Sequence, residues 1–283
     1  MNTISSRGWR DKYRSAKMQE VLRKALVAEK ICQVDRSDNY RIQNPYSNQP
    51  TASVQALAGT YSVTAWTQTD DTLTVADEVI FAEHVFDFES VLNNFNLFAQ
   101  RTDEMAYAVA FGIDKFVVNN LCEDATGSYT TPVGGFTTAA NINVIISNLI
   151  SKVAGFAEMY KGLFLIVENT DIPGLLQAMA SNGFSFADAA LNNGWMGNYM
   201  GVDIHVVRSG LFVDETIGTT TVTNSGHRVF GVKGVSTYAS PRGIQQDEKG
   251  VTLKTGKEIV VWGYCGFKLW AQMAGLIVDI TLA

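Results

Sequence analysis

At 283 residues, 46 % hydrophobic and 18 % charged, the chain has the make-up of a folded protein with a sizeable core, so disorder throughout is excluded. The first 14 residues carry four basic side chains and no apolar run of the about 7–15 residues that a secretory signal needs. The charge-poor stretches 42–69 and 125–151 are full of Asn, Thr and Gly, and the apolar tail 269–282 is short and carries Asp279, which argues against a membrane-spanning helix and for a soluble, intracellularly made protein.

The net charge of −6 is unevenly shared: residues 1–41 hold ten Lys/Arg against five Asp/Glu, leaving 12 against 23 for the remainder. A basic arm is thus attached to an acidic body. Such an arm suits either nucleic acid or the acidic surface of a neighbouring copy. Within it, residues 9–29 have the spacing of an amphipathic helix, with Met18, Val21, Leu22 and Ala25 on one stripe and Arg14, Lys17 and Lys24 off it. A short exposed helix owes most of its stability to docking, so the stripe is expected against the body or a neighbour.

Tyr40 to Tyr46 reads as a strand with Pro45 at an edge. From Ile42 to Thr69 there is no formal charge over 28 residues, ending in the alternation Tyr61, Val63, Ala65, Thr67. Connections this long are functional or disordered in most domains, and this one has too few large apolar groups for a core of its own. It is predicted to be a β-hairpin arm completed by another subunit, with Tyr46, Val54, Leu57, Tyr61, Val63 and Trp66 as its contacts. Leu73 to Phe88 alternates as strand. Val91, Phe95, Phe98, Thr102, Met105, Val109, Gly112 and Phe116 then recur every three or four residues, the period of one long helix with a buried stripe.

Residues 123–140 are polar and rich in Gly and Thr, and read as a connection between domains. A helix is predicted over 141–157 through Ile142, Ile145, Ile146, Leu149, Ile150 and Val153, a buried strand over Leu163 to Val167, and a helix from Ile172 with Asp171 as N-cap and Pro173 in its first turn. Strand, helix and strand in this order make an α/β layer, continued by the alternation of Val202 to Val207. Residues 214–226 read as a Thr/Gly-rich loop, and Glu258 to Trp270 and Leu276 to Leu282 as terminal strands.

Little in the chain suggests catalysis. His84, His205 and His227 are isolated from other metal ligands at usual spacing, and Cys32, Cys122 and Cys265 form no pair motif, so they read as buried free thiols. Thr255-Gly256-Lys257-Glu258 lacks the upstream glycine of a phosphate loop and puts Glu258 where a magnesium-binding hydroxyl belongs. Paired carboxylates such as Asp70–Asp71 and Asp214–Glu215 lie in turn-like contexts where solvated charge is the default. Only Trp9, Arg10, Lys12, Tyr13 and Arg14 interleave basic and aromatic residues, and they form a short arm rather than a recognition face. No cofactor or metal is expected, and self-association is the function left standing.

One resemblance is specific. Leu163-Phe-Leu-Ile-Val167, Asp171-Ile-Pro-Gly-Leu-Leu176, the run Ala190 to Val206 with Gly194, Gly197 and Gly201, and Ser209-Gly-Leu211 together resemble the central domain of major capsid proteins of tailed double-stranded DNA phages. The three glycines are expected to serve positive φ and close backbone approach in a tight turn before the strand. The resemblance implies an α+β, Hong Kong-type capsid fold: an N-terminal arm (1–43), an extended β-hairpin loop (44–76), a peripheral domain with a long spine helix (77–130), an axial α/β domain (131–240) and terminal strands returning to the peripheral domain (241–283). It implies a subunit that assembles with itself, as hexamers and pentamers, into the icosahedral head shell of a virion. Portal, scaffolding or decoration proteins would be partners, and packaged DNA would be met non-specifically, with Arg7, Arg10, Lys12 and Arg14 touching DNA or a neighbour. Some relatives weld their shells through a loop lysine, but 42–69 contains none, so a non-covalent shell is expected. The alternatives are a cellular nanocompartment shell of the encapsulin type, a tail-tube or decoration protein and, more remotely, an α/β enzyme.

Overall fold

The computed structural model describes residues 26–37, 39–47, 68–85, 97–153, 162–181, 195–250 and 257–283, with the isolated positions Ala52, Val54, Gly59 and Val63. In chain order these hold α1 (Ala28–Ile31), β1 (Gln33–Asp35), β2 (Arg41–Ser47), β3 (Gln68–Thr74), β4 (Asp77–Val85), α2 (Leu97–Glu123), β5 (Gly127–Thr130), α3 (Ala139–Val153), β6 (Leu163–Glu168) and α4 (Ile172–Ser181). There follow β7 (Trp195–Tyr199), β8 (Val202–Val207), β9 (Asp214–Ile217), β10 (Thr220–Thr223), β11 (His227–Val232), β12 (Ser236–Ala239), β13 (Ile244–Gly250), β14 (Lys257–Leu269) and β15 (Ile277–Thr281).

The long predicted helix is present as α2, 27 residues and about 40 Å of rod. Its expected stripe faces inward: Met105, Val109 and Phe116 are buried, and Gly112 lets Val79 of β4 approach where any Cβ would collide with it. Beneath α2 lie β4, β13 and β14. Because residues directly opposite in a ladder share a face, Val79 and Gly263, Phe81 and Val261, and Glu83 and Ile259 all lie on the α2 side. The 13-residue strand β14 pairs with β4 along Lys257–Cys265, with β13 along Lys257–Gly263 and with β12 along Gly266–Leu269.

A second, six-stranded sheet runs in the order β5-β15-β11-β6-β8-β7. It is buried on both faces, which is why β6 reads as an unbroken apolar run rather than an alternation. Phe164 and Ile166 enter the core under α2, while Leu165 and Val167 enter the core under α3 and α4. The β6-α4-β8 unit is parallel, as the sequence order implies, and Ile142, Ile145, Ile146, Leu149 and Val153 of α3 are its buried stripe.

Several expectations are corrected. Of the helix expected over 9–29, residues 9–25 lie outside the described residues; Leu26 and Val27 precede the single turn α1, and the amides of Val27 and Ala28 donate to the Asp114 carboxylate of α2 at 3.1 and 2.8 Å. The polar connection 123–140 contains β5, which pairs in parallel with β15, because backbone pairing asks no apolar side chains of it. The loop 214–226 holds a hairpin, β9 with β10. Asp171 does not stand at an N-cap; it ends a 3-10 turn (Asn169–Asp171), accepts the Glu168 amide at 3.1 Å and meets Arg228. The two terminal strands part company, β14 lying in the sheet beneath α2 and β15 in the six-stranded one.

Candidate functional surfaces

Two buried polar groups hold the cores together. On α2, Lys115, Asn119 and Glu123 recur at every fourth residue and so share one stripe, along which the segment 211–225 is fastened. Asn119 is fully buried; its Nδ2 donates to the carbonyls of Lys115 and Leu211, both at 2.7 Å, and its Oδ1 accepts from the Val213 amide and Asn224 Nδ2 at 3.3 and 3.2 Å. Lys115 pairs with Glu215, and Glu123 accepts the Thr223 amide at 3.2 Å. The tip of the β9–β10 hairpin reaches Asp77, whose carboxyl burial pushes above its ordinary range against the Thr219 amide that donates to it.

The second group is centred on Arg228 of β11, 3 % exposed. Its Nε donates to Asp171 at 2.5 Å, Nη2 stands 3.2 Å from Glu168, Nη1 donates to the His227 carbonyl, and the guanidinium lies 5.5 Å from the Phe212 ring centroid. Glu168 also accepts the Gly210 amide, and Ser209 donates to Asn169, so the Ser209-Gly-Leu211 loop is tied to the end of β6. Beside them His227 faces Asp279 at 2.9 Å, where burial raises the Asp279 carboxyl although His227 opposes it. Each charge is answered by a fixed partner, which is the chemistry of a structural joint. Among the described residues no three metal-ligating side chains converge.

The cysteines are buried and unpaired. Burial pushes Cys32 and Cys265 up to about 12 and raises Cys122 well above the ordinary thiol value. Because the thiolate is the nucleophile, iodoacetamide at about pH 8 should leave the folded protein unmodified and alkylate every thiol in urea, read by mass spectrometry. Rapid alkylation of the native chain would contradict this packing.

Asp203 of β8 and Lys233 after β11 meet at 2.5 Å. Burial disfavours the Asp203 anion, but hydrogen bonds from Lys233 and Asn198 and the lysine charge outweigh it, holding the carboxyl below its usual range. A depressed acid contributes stability above its unfolded pKa and loses it as pH falls through the folded one. Asp203→Asn is therefore expected to cost under about 1 kcal/mol in urea melts at neutral pH, this being a partly solvated pair. The difference from the parent protein should begin to shrink as pH falls below the ordinary carboxylate pKa of about 3.9 and vanish only once pH has passed the lower, folded value.

Of the contacts predicted from sequence, Tyr46, Val54 and Val63 are among the described residues. Tyr46 is half-buried in β2, opposite Thr69 of β3, while Val54 and Val63 are exposed; Leu57, Tyr61, Trp66, Met18, Leu22, Arg7, Arg10, Lys12, Arg14 and Gly194 lie outside the described residues. Gly197 lies within β7 at its register shift against β8, and Gly201 is one of the two residues of the β7–β8 turn; their φ of 103° and 82° are as expected of glycine, but a Cβ at either would meet nothing, so close approach is not their reason. The other turn residue, Met200, has φ 52° and is 44 % exposed. Positive φ at both turn residues is the pattern of a type I′ hairpin, a position where Asn or Gly avoids the cost that Met bears. Sequence reasoning also missed the exposed Ile80 of β4, although Ile80-Phe81 stands out among acidic neighbours, and the stripe of Lys115, Asn119 and Glu123, legible as polar residues at helical spacing in an apolar helix.

Residues 82–279 match the sequence model of a family described as phage capsid protein. No curated protein matches in sequence at a significant level. Among solved structures, the capsid of Cyanophage P-SCSP1u superposes with a TM-score of 0.70 at 15 % identity, covering 97 % of this chain and 94 % of that one. A structure of Mycobacterium phage Che8 does so with 0.70 at 18 %, covering 94 % of each chain. The capsid of a native GTA particle gives 0.65 at 12 %, covering 95 % of this chain and 94 % of that one.

Proposed function

This chain belongs to the phage capsid protein family, and from that premise we propose that it is a structural, self-assembling protein of the tailed-phage virion shell whose copies close into six- and five-membered rings that join as an icosahedral head. The match across 82–279 carries this reading and does not favour a cellular compartment. Head-to-tail contacts that close give rings, and rings joined into a curved sheet give a shell. Each contact can be modest, since every bond already made raises the effective concentration of the next.

In this reading the hairpin that starts from β2 and β3 overlaps a neighbour, through Tyr46, Val54, Leu57, Tyr61, Val63 and Trp66. Residues 77–130 serve as the peripheral domain and 131–240 as the axial one, with the β7–β8 hairpin that holds Gly197 and Gly201 part of the latter. The acidic body holds packaged DNA only loosely. Portal and scaffolding or decoration proteins complete the head, and the subunit itself catalyses nothing and carries no cofactor. Lacking a lysine in 42–69, the shell is non-covalent. Purified protein, concentrated and viewed by negative-stain microscopy, should show closed particles or capsomers that dissolve in denaturant without reductant. A protein that stays strictly monomeric, or that forms straight tubes, overturns the proposal.

A further inference from the structure

An open sheet edge invites another strand, and native chains blunt their edges with brevity, bulges, proline or charge. Among the described residues the edges of this protein are blunted in these ways, with one exception. The strands β1, β5, β9 and β10 run only three or four residues, β7 is broken by its register shift, β2 carries Pro45, β3 carries Asp70 and Asp71, and β13 carries Asp247, Glu248 and Lys249. The exception is β4. It is nine residues long and laddered without a break to β14, with no strand on its other side, and its middle, Val79-Ile80-Phe81-Ala82, holds neither charge nor proline. Ile80 is 57 % exposed and Phe81 42 %, and Ala82 is exposed as well, so successive residues meet solvent on both faces of the strand.

Resting on the shell-forming reading above, we propose that this edge is a two-fold seam, in which β4 of a second copy pairs with it antiparallel, Phe81 against Phe81 on the axis. In that register Ile80 faces Ala82, Glu78 faces His84 and Val79 faces Glu83, so apolar residues gather at the centre and no carboxylate opposes another. Centring the pair one residue earlier sets Asp77 against Glu83, a like-charge pair that weakens a ladder. Centring it one residue later sets Phe81 against Glu83 and loses the aromatic pair. A neighbour's β13 would instead lay a polar strand against Ile80 and Phe81. Head-to-tail contacts close a ring without joining it to the next, whereas a self-complementary contact of this kind joins two rings across their boundary.

Cysteine placed on the axis tests the register, the native cysteines being buried. Full-length Phe81→Cys, assembled and oxidised with copper phenanthroline, should run as a covalent dimer on a non-reducing gel, because directly opposed residues stand within disulfide reach. Ile80→Cys alone should stay monomeric, since its counterpart lies on the diagonal, about 7–8 Å away. Ile80→Cys with Ala82→Cys should dimerise again. Particles of Phe81→Cys without dimer, or a dimer formed as readily by Ile80→Cys alone, overturn the proposal. Charge provides a second measure. Phe81→Lys and Phe81→Glu should each lower the yield of closed particles at least about tenfold, and an equimolar mixture should restore it, because in a self-complementary contact the residue meets its own counterpart. Misfolded subunits would not be rescued by mixing, so restoration also separates the seam from a loss of fold. Unchanged yield in either variant alone, or a mixture as poor as its components, overturns the seam. If the unsubstituted protein forms no assembly, the shell reading fails and this one with it, whereas particles that give no Phe81→Cys dimer refute the seam alone.

Discussion

Excising residues 48–67 and joining Ser47 to Gln68 through Asn-Gly should leave a folded subunit that no longer closes into particles. Ser47 and Gln68 face one another at the last rung of the β2–β3 ladder, so a two-residue turn spans the cut in the geometry that hairpins favour. The base of the hairpin keeps its own anchorage: Leu73 is buried with Ala239 and Trp270, with Ile42 and Val75 packed against them. Trp270 also donates its indole N–H to Thr237, at 2.9 Å, and Asp71 accepts the Ala271 amide. Melting temperature should therefore shift by only a few degrees, since none of these contacts lies in the excised segment. If the hairpin overlaps a neighbour as proposed, closed particles should fall by about a hundredfold or more, because removing one contact from every copy removes the multivalent gain of the whole lattice. Particle counts by negative-stain microscopy and light scattering decide it, and normal yield would show that the hairpin tip is dispensable.

Arg228→Ala attacks the joint instead of the surface, and its expected effect is on folding. Truncation leaves Asp171, almost wholly buried, and Glu168 with no cation between them. Removing one partner of a buried ion pair costs about 3–5 kcal/mol, because the charge left behind is uncompensated. In a chain of this size that corresponds to a fall in melting temperature of roughly 5–15 °C. The triple change Arg228→Met, Asp171→Asn and Glu168→Gln removes every charge together and should recover most of the loss. If Arg228→Ala melts like the parent chain, the ion pairs contribute nothing; if the triple change is as damaging as the single one, packing on Phe212 rather than charge is the cause.

What the sequence made legible and what it hid divide along physical lines. Elements whose pattern is local are readable: α2 from the one-sided recurrence through Met105, Val109 and Phe116, α3 from its isoleucines, and β6, buried on both faces, from its unbroken apolar run. Elements that exist because of distant partners were not. The strand β5, Gly-Ser-Tyr-Thr, is a strand because β15 lies beside it, more than a hundred residues away in the chain. The single turn of α1 is held by a carboxylate of α2, and no residue near Val27 announces it. Asn119 presents the same difficulty. An asparagine inside a helix reads as a mild defect, since its side chain competes for backbone partners, and only the arrival of Leu211, Val213 and Asn224 shows that this competition is used to hold another part of the chain. The glycine-spaced turn was recognised from its family pattern, and its positive φ values follow, but the crowding expected there is absent.

The strand Lys257–Leu269 carries one more implication. It is laddered to three others at once, and sliding by a single residue would tear all three ladders and turn Ile259, Val261 and Cys265 out into water. A pull at the foot of the hairpin is thus passed along it without slack, as through a batten in a hull. In a wall made of such pieces, whatever yields under internal pressure lies in the seams between copies and not within this plank.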